Sequence, residues 1–454
     1  MANIMNNSYI ESVDSNQDLT IQCATIQSLF ECASPTKHNQ EKIQFSTNEE
    51  PGQKNRLFKD DNTIQFENEL RRCRGTIIDN KTGQVVQEGS FFPYEFTEKE
   101  QDQCQEKMEG LKHKLEDFDV EYSYEGTIIR IFYHKQWYVS THRKLDSERS
   151  KWGSHNSFKF LFEEGLKESY NLCLKDLFNQ LNLRCQYTFM IMADQNTRFV
   201  CTPNHPKKVY FVGSNDPNIL HLKIDKLPKP EFTFKSIEKI FNFVKGMHYP
   251  FTYQGLLLVH TDGSQYRIIS DEYSKLFKVR NNEQSIPYRY LQLKGQNDQE
   301  SIKLLKKLFP QYISTFESHE KHILKLVDII YLEYNKRKQR SLLPSDLTTV
   351  QQIDQKLYLF IKNRLLNVRE VVTPEYILNL LWLEDPSNLN HMIRMVKYTE
   401  YKKEQEQKLI VNFESVNLNQ APINPILAPN APKKKKVRYT KIPIEYTCRK
   451  KLSY

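Results

Sequence analysis

The chain of 454 residues lacks the features that mark several common protein classes. It has no run of about 20 apolar residues, so we predict no membrane-spanning helix. Its polar N-terminus lacks the apolar core of a secretory signal. Its eight cysteines form no Cys-x-x-Cys pair, and no His-Glu-x-x-His motif occurs. We therefore expect a soluble, intracellular protein with reduced thiols and no bound metal.

The composition nevertheless supports a folded protein with an uneven charge. Hydrophobic residues make up 39% of the chain and aromatic residues 12%, which is enough to bury a core. The net charge is +9, but residues 415–454 contain nine lysines and arginines against a single glutamate. The rest of the chain is close to neutral. Any nucleic-acid groove in the folded part must therefore be a local basic patch.

Four stretches between residues 76 and 270 predict β-hairpins. They are Thr76–Asp79 with 84–86, residues 127–140 turning near 134–136, residues 187–202 turning at 194–197, and residues 253–270 turning at Asp262 and Gly263. Segments that predict helices lie between these hairpins, as in residues 157–181. This mixture predicts an α+β fold with antiparallel sheets.

The pattern becomes helical after residue 295. Apolar residues recur at helical spacing, and the list is Ile323, Leu326, Val327, Ile330, Tyr331, Tyr334, Ile353, Leu357, Phe360 and Ile361. Thr373 before Pro374 predicts a helix start. Four prolines between residues 420 and 432 predict a linker. We predict a disordered N-terminus over 1–20, an α+β domain over 21–295, an all-α domain over 296–410, and a linker with a basic tail over 411–454.

Residues 121–126 carry the most informative motif, Glu-Tyr-Ser-Tyr-Glu-Gly. With the hairpin that follows, they resemble the nucleotide-attachment segment of RNA and DNA ligases, in which Lys-x-Asp-Gly precedes a hairpin. Ser123 stands at the position of the lysine, and Glu125 and Gly126 stand at those of the aspartate and glycine. A lysine amine is the group that forms the covalent nucleotide adduct. The resemblance therefore implies a ligase-like nucleotidyltransferase domain without its nucleophile.

Further segments resemble the remaining ligase motifs in the same order. Gln254 and Met190 replace glutamates, Arg267 and Ile269 replace lysines, and Gly255 is retained. The resemblance implies a relic nucleotide pocket formed by Arg74, Ser123, Glu125, Gly126, Phe189, Met190, Gln254, Gly255, Arg267 and Ile269. Because most of the charged positions are neutralised, it implies no cofactor. Weak binding of ATP or GTP stays open.

Residues 25–410 as a whole resemble the immediate-early protein family of iridoviruses and related large DNA viruses. The resemblance rests on the run from Glu125 to Ser154, on IPYRYLQL, and on SNLNHMIRM in the helical region. Some members of that group look like intact RNA ligases with the lysine in place, and this chain looks like the branch without it. The resemblance implies a viral early protein in the cytoplasm or nucleus of the host cell.

Three functional hypotheses follow from the altered motif. The first is a non-catalytic protein that binds RNA, DNA or a protein partner. The second is an active nucleotidyltransferase or RNA ligase that uses a displaced lysine such as Lys144. The third is a scaffold whose former cleft is filled by side chains. His142, Arg143, Lys144 and Lys151 are candidate phosphate contacts, with a solvated basic loop as the alternative.

The tail contains a short basic motif. Lys433, Lys434, Lys435, Lys436 and Arg438 follow Pro432 and resemble a monopartite nuclear import signal. We predict binding to a nuclear import receptor. The alternative is a basic tail that binds nucleic acid through counterion release, and both can hold.

Overall fold

The computed structural model describes residues 10–24 and 61–418, apart from 196, 220–221, 341–354, 367 and 369–370. Twelve strands lie in these ranges: β1 Ile10–Ser15, β2 Leu19–Ala24, β3 Thr76–Asp79, β4 Val85–Gln87, β5 Tyr94–Thr97, β6 Phe118–Ser123, β7 Gly126–His134, β8 Gln136–Ser140, β9 Tyr187–Met192, β10 Val209–Ser214, β11 Gly255–His260 and β12 Gln265–Ile269.

The described ranges also contain twelve α-helices. They are α1 Asp61–Arg72, α2 Gln101–Gly110, α3 Phe158–Tyr170, α4 Leu174–Phe178, α5 Ile237–Lys245, α6 Asp271–Arg280, α7 Ile286–Gly295, α8 Gln299–Leu308, α9 Ile313–Arg340, α10 Gln355–Arg364, α11 Pro374–Trp382 and α12 Pro386–Leu418. No helix of the described ranges is both long and apolar enough to cross a membrane.

The strands form three sheets of four strands each. The first sheet has the order β1-β2-β3-β4, the second β10-β9-β7-β8, and the third β5-β12-β11-β6. The pairing is antiparallel throughout, except that β5 runs parallel to β12. The predicted α+β class with antiparallel sheets and a helical C-terminal region is thus confirmed.

Three of the four predicted hairpins are present. They are β3 with β4, β7 with β8, and β11 with β12. The prediction over residues 187–202 is wrong in its second half, since β9 pairs with β10 instead. The Asp194 carboxylate does accept a bond from the Thr197 backbone N–H. The residues that follow are held by the side chain of Glu125 rather than by a strand partner.

Residues 10–20, predicted as part of a disordered N-terminus, form β1 and the start of β2. Contacts with distant parts of the chain explain why these residues form strands. Leu19 and Ile21 are fully buried and pack with Ile77 of β3 and Phe132 of β7. Burial of such side chains contributes roughly 1.5–3 kcal/mol each, which a polar local sequence does not reveal.

The second and third sheets each cover a separate hydrophobic core. The core of the second sheet includes Ile129, Phe189 and Phe211, and α3 packs on it through Phe162. The core of the third sheet includes Leu256 and Tyr266, with helix α5 contributing Ile240, Phe241 and Val244. Because side chains alternate along a strand, the opposite faces of both sheets remain available for a site.

The helical region follows the predicted periodicity. Ile323, Leu326, Val327, Ile330 and Tyr334 on α9 are buried, whereas Tyr331 is about one third exposed. The predicted start of α11 is confirmed, because the Thr373 hydroxyl accepts a bond from the Tyr376 N–H at 3.1 Å. Ile353, at the start of the second predicted repeat, lies outside the described residues, but Leu357, Phe360 and Ile361 are buried.

The chain divides into two compact units. Residues up to Arg394 form the first unit, which contains all three sheets and helices α1 to α11. Residues from Met395 onward form the second, and its described part is the remainder of α12. The proline-rich linker and the predicted import signal at 433–438 lie outside the described residues.

Candidate functional site

Residues Ser123 to Gly126 carry the chain from the third sheet into the second. Ser123 ends β6 and lies opposite Gly255 of β11, and its carbonyl accepts a bond from the Gln254 N–H at 2.8 Å. Gly126 begins β7 and lies opposite Met192 of β9. Residues 123–126 of the ligase-like motif therefore form the junction between the third and the second sheet.

Glu125 is almost fully buried at this junction, with 6% of its surface exposed. Its carboxylate accepts bonds from the N–H groups of Phe199 and Val200, both at 2.9 Å, and from the Tyr273 hydroxyl at 2.7 Å. Burial raises the pKa of Glu125, and these hydrogen bonds oppose the rise. The carboxylate thus ties residues 199–200 and α6 to the junction.

The two glycines of the motif allow close backbone approach. A Cβ added at Gly255 would lie 1.9 Å from the Ile268 carbonyl oxygen, and one at Gly126 would lie 2.6 Å from Met190 Cγ. Neither neighbour leaves room for a methyl group. Both glycines are therefore required by packing at the junction, whatever the site binds.

The strand register brings most of the predicted pocket residues into two rows. On the second sheet, Met190 lies between Tyr210 and Ile128. On the third sheet, Gly255 lies between Ser123 and Ile269. Phe189 is fully buried in the core of the second sheet and therefore belongs to its other face.

A group of positive residues, called here the arginine cluster, comprises Arg74, Arg130, Arg143 and Arg267 together with His142. Arg130 donates to the backbone carbonyls of Gly75 and Glu88. An added Cβ at Gly75 would lie 3.0 Å from the His142 backbone, so the two segments pack closely. The guanidinium of Arg74 lies 5.3 Å from the centre of the Phe92 ring.

The pKa values show how closely these positive groups lie together. Burial, followed by the charges of Arg74, Arg143 and Arg130, lowers the pKa of His142 to about 3. Burial and the nearby charge of Arg267 lower the pKa of Arg74. His142 is therefore neutral at physiological pH, and its ring lies among cations.

The cluster has little negative charge to balance it. Within the described ranges, the only ion pair of its four arginines joins Arg267 to Glu95, at 2.7 Å. The Nε of Arg267 is buried and has no hydrogen-bond partner among the described residues. Arg130 is buried and donates to two backbone carbonyls. Arg74 and Arg143 therefore stay without a paired carboxylate in the part of the chain that the structure describes, which favours the binding of an anion.

A cavity of about 350 Å³ opens at the same junction of sheets. Tyr124, Met192, Tyr210 and Thr252 line it, as do Lys208 and Lys226. The Nζ of Lys208 lies 5.1 Å from the Tyr210 ring centre and forms an ion pair with Asp225 at 2.6 Å. Aromatic rings beside lysines make this cavity suitable for a planar, negatively charged ligand.

Sequence comparisons identify relatives of the chain. An immediate-early protein ICP-46 homolog of Invertebrate iridescent virus 3 is 55% identical over 445 residues, covering 97% of each chain. A homolog from Invertebrate iridescent virus 6 is 30% identical over 332 residues, 67% of this chain and 70% of the relative. The chain belongs to the ICP-46 immediate-early protein family of iridoviruses.

The ICP-46 protein of Frog virus 3 is a more distant relative, 24% identical over 204 residues, which cover 40% of this chain and 51% of that protein. No protein-family model matches the chain. The predicted resemblance to iridovirus immediate-early proteins is confirmed. The ligase-like origin of the domain stays a prediction, because the names of these ICP-46 relatives state no activity.

The structure of this ICP-46 family member separates the candidate phosphate contacts. His142 and Arg143 belong to the arginine cluster. Lys144 instead points to β1, with its Nζ 3.8 Å from the Asp14 carboxylate, and Lys151 is exposed in the segment before α3. Gln254 donates from its side-chain amide to the Tyr124 carbonyl at 3.2 Å, which fixes the junction.

Several residues of the site were not predicted from the sequence. Arg130 and Tyr210 alternate with core residues along their strands, and that alternation is a signal that could have found them. Tyr273 and the 199–200 backbone had no such signal, because they reach Glu125 from distant parts of the chain.

Proposed function

We propose that this ICP-46 family member is a non-catalytic viral early protein that binds nucleic acid through its arginine cluster. The observation that carries the proposal is the charge of this cluster: among the described residues, Arg267 is paired with Glu95, and Arg74 and Arg143 have no paired carboxylate. Phosphate groups of a nucleic acid provide the missing negative charge.

The chemistry at the junction supports a binding role rather than a transfer reaction. Ser123 is 4% exposed and has a hydroxyl where covalent nucleotide transfer by a ligase-like enzyme needs an amine. Met190 and Ile269 offer no charge to a phosphate or a metal. Glu125 is saturated by hydrogen bonds from the protein itself. On the proposed ligase-like origin, these positions would have lost the reactive groups of the family.

The cavity at the junction supports the same proposal. About 350 Å³ of space lies beside Tyr124, although none of the ten predicted pocket residues lines it. Tyr124 offers a ring surface for a base, and stacking on an aromatic side chain contributes about 1–3 kcal/mol per base. The arginine cluster and the cavity would then bind different parts of one strand.

Direct binding tests the proposal. Fluorescence anisotropy with a labelled single-stranded RNA, and with DNA of the same sequence, is measured on the full-length protein at several salt concentrations. Arg74→Gln with Arg143→Gln should weaken binding about tenfold or more. It should also reduce the salt slope by roughly 0.7 for each lost phosphate contact. Arg394→Gln, an exposed arginine on α12, is the matched control and should leave both unchanged.

The basic tail needs its own control. Changing Lys433, Lys434, Lys435 and Lys436 to glutamine in the full-length chain removes four of the nine basic residues of the tail and so reduces its contribution to nucleic-acid binding. If the cluster variant then binds as tightly as the protein with the tail substitutions alone, the cluster does not bind nucleic acid, and the proposal fails. The same tail variant, followed in cells, tests the proposed nuclear import, since loss of import would move the protein to the cytoplasm.

The enzymatic alternative has a separate test. Purified protein is incubated with α-labelled ATP or GTP and a divalent metal, and is then run on a denaturing gel. We expect no labelled band. A band that survives alkali, breaks in acid and is lost in Lys144→Ala would support a displaced nucleophile and contradict the non-catalytic proposal.

A further inference from the structure

A second group of potential ligands lies away from the arginine cluster, at the turn between β11 and β12. His260 ends β11, Asp262 lies in the turn, and His113 lies in the loop after α2. One ligand atom from each lies within 4.8 Å of the others. Within the described ranges, this is the single group of three such side chains close enough to share an ion.

Both imidazole rings face the same carboxylate. The Nδ1 of His260 lies 2.8 Å from Oδ1 of Asp262, and the Nε2 of His113 lies 3.5 Å from Oδ2. The two rings are stacked, with centres 3.8 Å apart and planes inclined by 20°. Each ring therefore brings one nitrogen close to the same carboxylate.

The side chains around this group hold the ligands in place. The Nδ1 of His113 is hydrogen-bonded to the hydroxyl of the fully buried Tyr266 at 2.9 Å, which leaves Nε2 for a cation. The carboxylate of Asp262 accepts a bond from the Ser264 N–H at 2.7 Å. Metal-binding histidines and carboxylates are oriented by hydrogen bonds of this kind.

We propose that His113 Nε2, His260 Nδ1 and the Asp262 carboxylate bind a divalent transition-metal ion, with zinc as the best fit. Two imidazoles and a carboxylate suit zinc, whose bonds to them are about 2.0–2.2 Å long. A tetrahedral ion needs its ligand atoms roughly 3.3 Å apart and their lone pairs aimed at one point. Binding therefore requires one of the two imidazoles to rotate out of the stack. Asp262 is 41% exposed, so water can take the fourth position.

Arg72 competes with such an ion. Its Nη2 lies 3.3 Å from Oδ2 of Asp262, and its Nη1 donates to the Asp262 carbonyl at 2.7 Å. A positive charge at this distance repels a divalent cation and occupies one carboxylate oxygen. Arg72→Gln should therefore tighten metal binding severalfold.

The test uses the full-length protein and two metals. Calorimetry with Zn²⁺ should show one saturable site, and Co²⁺ should give the visible absorption of a tetrahedral ion without a thiolate band. His113→Gln, His260→Asn and Asp262→Asn should each weaken binding about tenfold or more. Tyr266→Phe should weaken it within the 10–100-fold range of an orienting partner. His205→Gln, an exposed histidine, is the control and should bind like wild type.

Two results would overturn the proposal. One is the absence of saturable binding by the wild-type protein and by Arg72→Gln. The other is unchanged binding in both histidine variants, which would assign the metal to a different site. Thermal melting without metal shows whether each variant folds. Arg72→Gln is expected to bind metal more tightly, a result that misfolding cannot produce.

Discussion

The junction at Glu125 and the arginine cluster differ in how their charged groups are satisfied. The Glu125 carboxylate accepts hydrogen bonds from two backbone N–H groups and from Tyr273. In the cluster, Arg74 and Arg143 have no carboxylate within ion-pair distance among the described residues, and Arg267 shares one with an exposed glutamate. One site is complete within the protein, and the other is not.

This difference separates a structural role from a binding role. A buried charge whose hydrogen bonds are all made by the protein has nothing to offer a ligand, and its loss harms the fold. Charges of one sign that lie together without partners repel one another, and an anion relieves that repulsion. Charge satisfaction, rather than position in the motif, is therefore the ground for placing the proposed binding site at the arginine cluster.

The largest expected effect concerns Glu125 and tests whether the junction is complete within the protein. Glu125→Ala leaves three buried donors without an acceptor, at about 1–3 kcal/mol each. We expect the free energy of unfolding, measured by urea denaturation, to fall by at least about 3 kcal/mol. Glu121→Ala is the control, since Glu121 forms a partly exposed pair with Lys229 at 2.9 Å. It should cost less than about 1 kcal/mol, and equal losses would refute the structural role.

An intermediate effect is expected from His142. Its pKa is about 3 in the folded protein, against about 6.5 when unfolded. The unfolded chain therefore takes up a proton first, and stability is lost as the pH falls below 6.5. At pH 5.5 this costs at most about 1.4 kcal/mol. His142→Gln should remove that part of the pH dependence of the urea midpoint, and saturating RNA should reduce it in the wild type.

If the wild type and His142→Gln lose the same amount of stability between pH 7 and 5.5, the arginine cluster does not lower the pKa of His142. An RNA effect that persists in His142→Gln would assign the pH dependence to another group.

The smallest expected effect concerns Arg267, the arginine of the cluster that has a paired carboxylate. Glu95→Gln removes the carboxylate paired with Arg267, so it should increase RNA affinity a few-fold, by roughly the energy of an exposed ion pair. Arg267→Gln should change affinity in the opposite direction. Both are measured by anisotropy in the tail-substituted background. Changes of the same sign would mean that the pair acts through the fold rather than through its charge.

Much of the architecture could be predicted from local sequence. Apolar periodicity located helix α9, and Thr373 with Pro374 located the start of α11. The turn at Asp262 and Gly263 located the last hairpin, because Gly263 has a φ of +86°, which favours glycine. These features depend on neighbours within a few residues, so the sequence contains them directly.

The site was predictable only in part. Ser123 and Gly255 lie opposite each other on paired strands, and their role in a nucleotide pocket stays a prediction. The predicted continuation of a strand after residue 197 failed, because Glu125, more than 70 residues earlier, binds that backbone. The pairing of β9 with β10 and the inclusion of residues 10–20 in a sheet likewise depend on distant partners.

The sequence by itself determined the α+β class, the helical C-terminal region and the membership of the ICP-46 family. Each depends on residue identity or local spacing. Only the tertiary structure decided that Glu125 is saturated, that four arginines and His142 lie together, and that His113 faces His260 and Asp262. Those facts depend on side chains far apart in the chain, whose pairing is set by sheet order and burial.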